Sequence, residues 1–193
     1  MRQQLLFEKA RVALAESDFG YALEACAEVL RAAPRFVPAR KLQREASLRR
    51  FATGNWLVAK ARAGMSASPF IFGVNEDDPH HSFASAEKIL AVDPTSAVGL
   101  KLLGQSAELL HWPETAVFAY EALREVRPED RETLLVLAAA LLADGRAGEG
   151  LAVAEQVLKD APADAVALQL HREASVTQTM STGTWTNESS YRQ

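Results

Sequence analysis

The chain has 193 residues, of which 48% are apolar and 24% are charged, and its formal net charge at pH 7 is −4. This is the composition of an ordinary soluble protein, and no apolar run is long enough to predict a membrane-spanning helix or a secretory leader, so we expect a cytoplasmic protein. The single cysteine, Cys26, excludes an internal disulfide framework and a multi-cysteine metal site.

The charge is distributed unevenly along the chain. The segment 35–62 contains eight basic residues and one acidic residue, Glu45, so it carries +7 while the remainder carries −11. Such a segment is compatible with an anionic partner, with a basic helix that complements acidic neighbours in its own fold, or with a solvated face. We favour the last two interpretations.

The first predicted elements are a helix hairpin over residues 3–34 and a helix over 37–52. The turn of the hairpin is expected at residues 17–19, and Pro34 closes its second helix because proline cannot continue the helical hydrogen-bond ladder. We expect the helix 37–52 to be an extra helix after the first hairpin.

The next region, 55–94, is predicted to be an irregular repeat with an inserted loop. We expect a helix over about 55–67, an irregular loop over 68–80 that includes the apolar sequence "PFIF", and a helix over 81–92. Loops of this length are uncommon in compact helical arrays and are more often functional or mobile than accidental.

The later part of the chain is strictly periodic. Pro94, Pro128 and Pro162 are spaced 34 residues apart, and each closes an amphipathic run, which predicts two-helix repeats over 95–128 and 129–162. Asp130 and Asp164 are placed to cap the helices that follow them, and Asp78 is placed to cap the helix after the loop.

The end of the chain echoes an earlier stretch. "LHREASVTQTMSTGTW" at 170–185 matches "LQREASLRRFATGNW" at 42–56, and both predict a helix that stops at a Thr-Gly pair before a tryptophan. We therefore expect a capping helix over 165–180 and an irregular tail over 181–193.

This pattern resembles the tetratricopeptide repeat family, and the end of the chain is similar to a bacterial subgroup of it. In the unit that ends at Pro128, the matching residues are Leu103, Gly104, Ala116, Tyr120 and Pro128. The resemblance implies an all-α fold: a right-handed superhelical array of helix hairpins, or α-solenoid, here with an extra helix after the first hairpin and a C-terminal capping helix.

The resemblance also implies a function. Such arrays are non-catalytic scaffolds that bind a protein or peptide partner on a concave face lined by the first helix of each hairpin. Transferring the groove positions of the family in register gives these candidate residues: Lys41, Glu45, Arg49, Lys101, Gln105, Glu108, Gln169 and Glu173.

Two other functions remain open at this point. The chain is compatible with a self-assembling structural module that makes homo-oligomer contacts through the loop 68–80 or the basic helix 37–52. It is less compatible with an anionic partner bound through the segment 35–62, because an acidic chain without a groove-reading motif argues against nucleic acid.

Catalytic chemistry has little support in the sequence. It contains no phosphate-binding glycine loop and no nucleophile elbow, and "NEDDPHH" is explained as a helix start at Asp78 and Pro79 better than as a metal site. We predict no catalytic residue, no cofactor and no metal, and we expect no membrane partner.

Overall fold

The computed structural model describes residues 2–53 and 74–188, of which 181–188 are described by their backbone alone. These residues form nine α-helices and no β-strand: α1 (Arg2–Ala15), α2 (Phe19–Ala32), α3 (Val37–Thr53), α4 (Pro79–Val92), α5 (Ala97–Leu109), α6 (Pro113–Val126), α7 (Arg131–Ala143), α8 (Ala147–Asp160) and α9 (Ala165–Glu188). The predicted all-α fold class is confirmed. The predicted helix over 55–67 and most of the loop 68–80 lie outside the described residues.

The chain divides into two compact units, Met1–Ala119 and Tyr120–Gln193, and the boundary falls within α6. In the first unit, α1 and α2 pack against each other, α3 packs against both, and α4 packs against α5. In the second unit, α7 and α8 pack against each other, and α9 packs against both. Each unit therefore contains a helix hairpin followed by a third helix that contacts both of its members.

The helices repeat with the predicted period. The first helices α5, α7 and α9 begin at Ala97, Arg131 and Ala165, which are 34 residues apart, and the second helices α6 and α8 begin with the same spacing. Small residues in these hairpins are fully buried, for example Ala10 in α1 and Ala138 in α7, and small side chains allow paired helices to approach closely. The prediction of tetratricopeptide-like hairpins is confirmed by this arrangement.

Three hairpin turns share one backbone conformation. Ser17, His111 and Gly145 occupy the same position after α1, α5 and α7, and their φ angles are 63°, 56° and 78°. Positive φ is unstrained only for glycine, so Ser17 and His111 are held in a conformation that their side chains disfavour. The turn geometry is therefore imposed by the packing of the helices on either side.

Short polar side chains begin several helices. The carboxylates of Asp78 and Asp130 accept the amide protons of His81 and Thr133, and Asp164 accepts those of Val166 and Ala167. These bonds satisfy amides that have no partner within their own helix. The predicted capping role of all three aspartates is confirmed.

The last helix is longer than predicted. α9 continues to Glu188, so the predicted helix end at residue 180, the helix stop at Gly183 and the irregular tail over 181–188 are wrong, while 189–193 of that tail lie outside the described residues. A single glycine in a helix costs only about 1 kcal/mol relative to alanine, and no proline follows it to end the helix. No helix in residues 2–53 and 74–188 is both long and apolar enough to cross a membrane.

Candidate binding surfaces

The first set of predicted groove residues lies along one side of α3. Lys41, Glu45 and Arg49 are four residues apart, and all three side chains are exposed. Arg49 donates to Glu45 over 2.6 Å, and each of these two side chains keeps about half of its surface in solvent, 50% and 49%. This ion pair is internal to α3, so it does not hold α3 against another helix.

The second set lies at the same register of α5. Lys101 and Gln105, which correspond to Lys41 and Glu45, are half-buried, and Glu108 is exposed. α3 and α5 both belong to the first unit.

The third set lies on α9 in the second unit. Gln169 and Glu173 are exposed, and the Gln169 amide donates to the Glu173 carboxylate over 2.9 Å. This bond, like the Glu45–Arg49 pair, stays within one helix. The structure thus pairs two of the predicted residues on α3 and two on α9.

A different group of charged residues links helices together. In the second unit, Arg146 donates to Glu121 of α6 over 3.1 Å and to Glu149 over 2.6 Å. Arg131 at the start of α7 binds the Asp164 carboxylate, whose side chain is 3% exposed. The hydrogen bond from Arg131, followed by that from the Ala167 amide, lowers the pKa of Asp164.

Arg40 is the most deeply buried ion-pair arginine in the described part of the first unit, and sequence reasoning did not identify it. Its side chain is 3% exposed; Nε and Nη2 donate to the Pro34 carbonyl over 2.9 and 2.6 Å, and Nη1 donates to Glu87 of α4 over 2.9 Å. The guanidinium also lies 4.7 Å from the centre of the Phe83 ring. Burial lowers the pKa of Arg40, and the bond to Glu87 opposes that shift.

Arg44, on the next turn of α3, donates to the Pro94 carbonyl over 2.6 Å. Part of the basic segment 35–62 is thus used inside the fold, which supports the internal interpretation of its charge. The sequence did contain a signal: in the 34-residue register, the position of Arg40 is occupied by Leu100, Leu134 and Leu168 in the later first helices.

A cavity of about 360 Å³ lies beside these arginines in the first unit. Helices α2 to α6 all contribute to its lining. The apolar part of the lining comes mainly from four leucines and one phenylalanine, which are Leu23, Leu90, Leu100, Leu103 and Phe118.

The "NEDDPHH" region is described from Val74 onward. The backbone amide of Asn75 donates to Ser82 Oγ over 2.8 Å. The rings of His80 and Phe83 stand edge-on to Trp112 at centroid distances of 6.0 and 5.3 Å. The aromatic side chains here pack at the start of α4. Cys26 is fully buried in the first hairpin, and burial raises the pKa of its thiol to about 11.

The sequence matches no family model, and no curated protein matches it. The solved structures that are similar, each at a TM-score of 0.43, include TTC0263, a thermophilic TPR protein of Thermus thermophilus, with 19% sequence identity over 91% of this chain and 81% of that chain. The MamA protein has 15% identity over 99% of this chain and 96% of its own. The TPR2AB domain of yeast Sti1, in a complex with pHSP90, has 14% identity over 90% of this chain and 85% of its own. Identities and TM-scores this low give no evidence of a shared site or ligand. The assignment of the hairpins depends on the helices and contacts described above.

Proposed function

We propose that this chain of tetratricopeptide-like hairpins is a non-catalytic scaffold that binds a protein or peptide partner along the side of its first helices. The observation that carries the proposal is a polar register shared by α3, α5 and α9, whereas α7 has Leu135 and Ala139 at these positions. Positions 41, 101 and 169 hold Lys, Lys and Gln, and positions 45, 105 and 173 hold Glu, Gln and Glu. The residues of this register on α3 and α9 are exposed.

The hydrogen bonds of these residues support the proposal. Arg40, Arg131 and Arg146 bind acceptors outside their own helices, so the fold depends on them. The Glu45–Arg49 and Gln169–Glu173 bonds join residues of one helix and are exposed. Bonds of that kind contribute only about 0.2–0.5 kcal/mol, so a partner can replace them at little cost to the fold.

Side chains that could perform chemistry are used for packing. With a pKa of about 11, the Cys26 thiol is protonated at neutral pH, and it is buried, so it is a poor nucleophile. The His80 ring packs edge-on against Trp112. These contacts favour a scaffold over an enzyme, and a lone cysteine agrees with our placing of the scaffold in the cytoplasm.

Affinity capture tests the proposal. The tagged chain is incubated with a native lysate of the source organism, and bound proteins are quantified by mass spectrometry. We expect at least one partner that is depleted by Lys41→Glu or by Glu173→Lys. Matched charge reversals away from the first helices, Lys88→Glu on α4 and Glu16→Lys in the first turn, should retain it, since both residues are exposed. A partner lost equally from all four variants, or from none, contradicts the proposal.

Self-association is the alternative outcome. Light scattering over a concentration series should give a constant mass for a scaffold that acts as a monomer. A mass that rises with concentration and falls after reversal of Arg49 and Arg50 would instead support homo-oligomer contacts through α3.

A further inference from the structure

α3 also has an arginine at a second position of the register, which it shares with Arg172 of α9 but not with α1, α5 or α7. Where α1, α5 and α7 have the small buried residues Ala10, Gly104 and Ala138, α3 has Arg44. Small residues at this position allow the two helices of a hairpin to approach closely. Arg44, in contrast, has a long side chain, and it lines the cavity described above.

The cavity of about 360 Å³ lies at this place in the first unit. Leu23 of α2, Leu90 of α4 and Leu100 of α5 are among the residues that form its apolar wall. Its volume is at the lower end of the range of small-molecule sites, which are concave, mostly apolar and supplied with a few polar groups.

The polar groups of the cavity favour an anion. Its lining includes three arginines on α3, Arg40, Arg44 and Arg50, and two acids, Glu24 and Glu87, so the basic groups are in excess by one. A guanidinium has five N–H donors, and among the described residues Arg40 uses three of them, on Pro34 and Glu87. Arg40 is a lining residue whose side chain is 3% exposed, and two of its N–H donors have no acceptor among the described residues.

We propose that this cavity is a binding site for a small amphiphilic carboxylate, whose acyl chain packs on the leucines and whose carboxylate binds Arg40 and Arg50. Guanidinium groups are suited to carboxylates because their N–H groups form charge-assisted bonds in a planar fork. The site uses residues 40, 44 and 50 of α3, whereas the proposed partner face uses 41, 45 and 49. The proposal is thus independent of the proposed function.

Calorimetric titration of the full chain with decanoate tests this proposal. We expect saturable binding of one decanoate per chain. Ala91→Trp places a large side chain at an exposed lining position and should weaken binding by about tenfold or more, because it fills the cavity. Ala84→Trp, at an exposed position of the same helix that does not line the cavity, is the matched control and should bind as the wild type does.

The carboxylate contact is tested separately. Arg50→Ala should weaken decanoate binding by about threefold, the effect of one exposed ion pair, while Arg35→Ala, at an exposed arginine that does not line the cavity, should leave it unchanged. Decanol should bind more weakly than decanoate. Circular dichroism of each variant verifies that the helices remain.

Several results would overturn the proposal. Absence of saturable binding, or equal binding by the two tryptophan variants, would show that the cavity is not the site. Decanol binding as tightly as decanoate would exclude the carboxylate contact. If decanoate does not bind, but a peptide that ends in a leucine carboxylate binds and Ala91→Trp weakens that binding, the site takes a partner's C-terminus. If decanoate binds only after Phe70, Ile71 and Phe72 are replaced by serine, the chain itself occupies the site.

Discussion

Arg40 shows how a charged side chain is accommodated at a position where its own repeat calls for leucine. The guanidinium satisfies the Pro34 carbonyl at the end of the first hairpin, pairs with Glu87 and covers the Phe83 ring. Because Pro34 follows α2 and Glu87 lies on α4, a single side chain of α3 connects the end of the first hairpin to α4. Its burial is tolerated because its charge is paired and each of its nitrogen atoms has an acceptor.

Arg40→Ala should lower the free energy of unfolding by about 2–4 kcal/mol, since it removes the charge-assisted bonds of a buried side chain to the Pro34 carbonyl and to Glu87, and leaves a gap beside Phe83. Glu87→Gln should cost much less, because the Glu87 side chain is 44% exposed and water can replace the ion pair. Urea unfolding followed by circular dichroism measures both changes. An Arg40→Ala variant as stable as the wild type would show that Arg40 does not hold these segments together.

Asp164 gives a prediction of pH dependence. Its pKa is lowered, chiefly by the hydrogen bond from Arg131, so its stabilising contribution is complete above the unfolded pKa of about 4. The contribution is lost as the pH falls from there through the lower pKa of the folded state. We therefore expect Asp164→Asn to be less stable than the wild type at pH 7, with a difference that narrows below pH 4.

Urea unfolding midpoints at pH 7 and at pH 3 check this expectation. Asp160→Asn, at an exposed position at the end of α8, is the control for removal of one negative charge. If the unfolding midpoints of the wild type and Asp164→Asn differ by the same amount at pH 7 and at pH 3, the ionised carboxylate does not provide the stabilisation.

At the scale of whole elements, two of the hairpin turns hold a residue other than glycine in the strained left-handed backbone conformation. His111 has φ 56° at a position where Gly145 serves the equivalent turn. His111→Gly should therefore raise the melting temperature, because relief of about 1–2 kcal/mol of left-handed strain outweighs the added freedom of the unfolded chain. Gly145→Ala should lower it. Differential scanning calorimetry measures both shifts, and a lower melting temperature for His111→Gly would contradict this view of the turn.

The contact between α7 and α8 gives a second prediction at this scale. A Cβ atom on Gly150 would lie 3.1 Å from the Ala138 carbonyl oxygen, whereas one on Gly148 would meet only the flexible end of Gln178 at 3.4 Å. Gly150→Ala should thus destabilise the hairpin by about 1 kcal/mol or more, despite the better helix propensity of alanine. Gly148→Ala should leave stability unchanged or improve it. Urea unfolding measures the stability of both variants. An equal increase in stability for Gly150→Ala and Gly148→Ala would mean that α7 and α8 can move apart to accept the added methyl group.

The helices could be predicted from the sequence because proline, capping aspartates and the 34-residue period act locally and repeat. The predicted extra helix over 37–52 corresponds to α3 at Val37–Thr53, and the caps lie at the predicted aspartates. The end of α9 could not be predicted from Gly183, since one glycine only weakens a helix. The inward orientation of Arg40 and Arg44 was also missed, because a count of charges does not show which side of a helix each one occupies.

At the scale of the whole molecule, each of the two units repeats one arrangement, a hairpin followed by a third helix. That arrangement accounts for the 128-residue echo in the sequence: "REAS" lies in α3 and again in α9, each of which follows a hairpin. The echoed Arg-Glu pairs lie on helices that also carry the proposed partner face. We propose that a partner binds along these first helices.

Carboxylate footprinting of the chain with its captured partner tests that claim most directly. Carbodiimide labelling, quantified by mass spectrometry with and without the partner, compares Glu45 and Glu173 on first helices with Glu16 and Glu155 elsewhere, all four exposed in the free chain. We predict that the partner reduces labelling of Glu45 or Glu173 and leaves Glu16 and Glu155 unchanged. Reduced labelling confined to Glu16 or Glu155 would contradict a first-helix binding face.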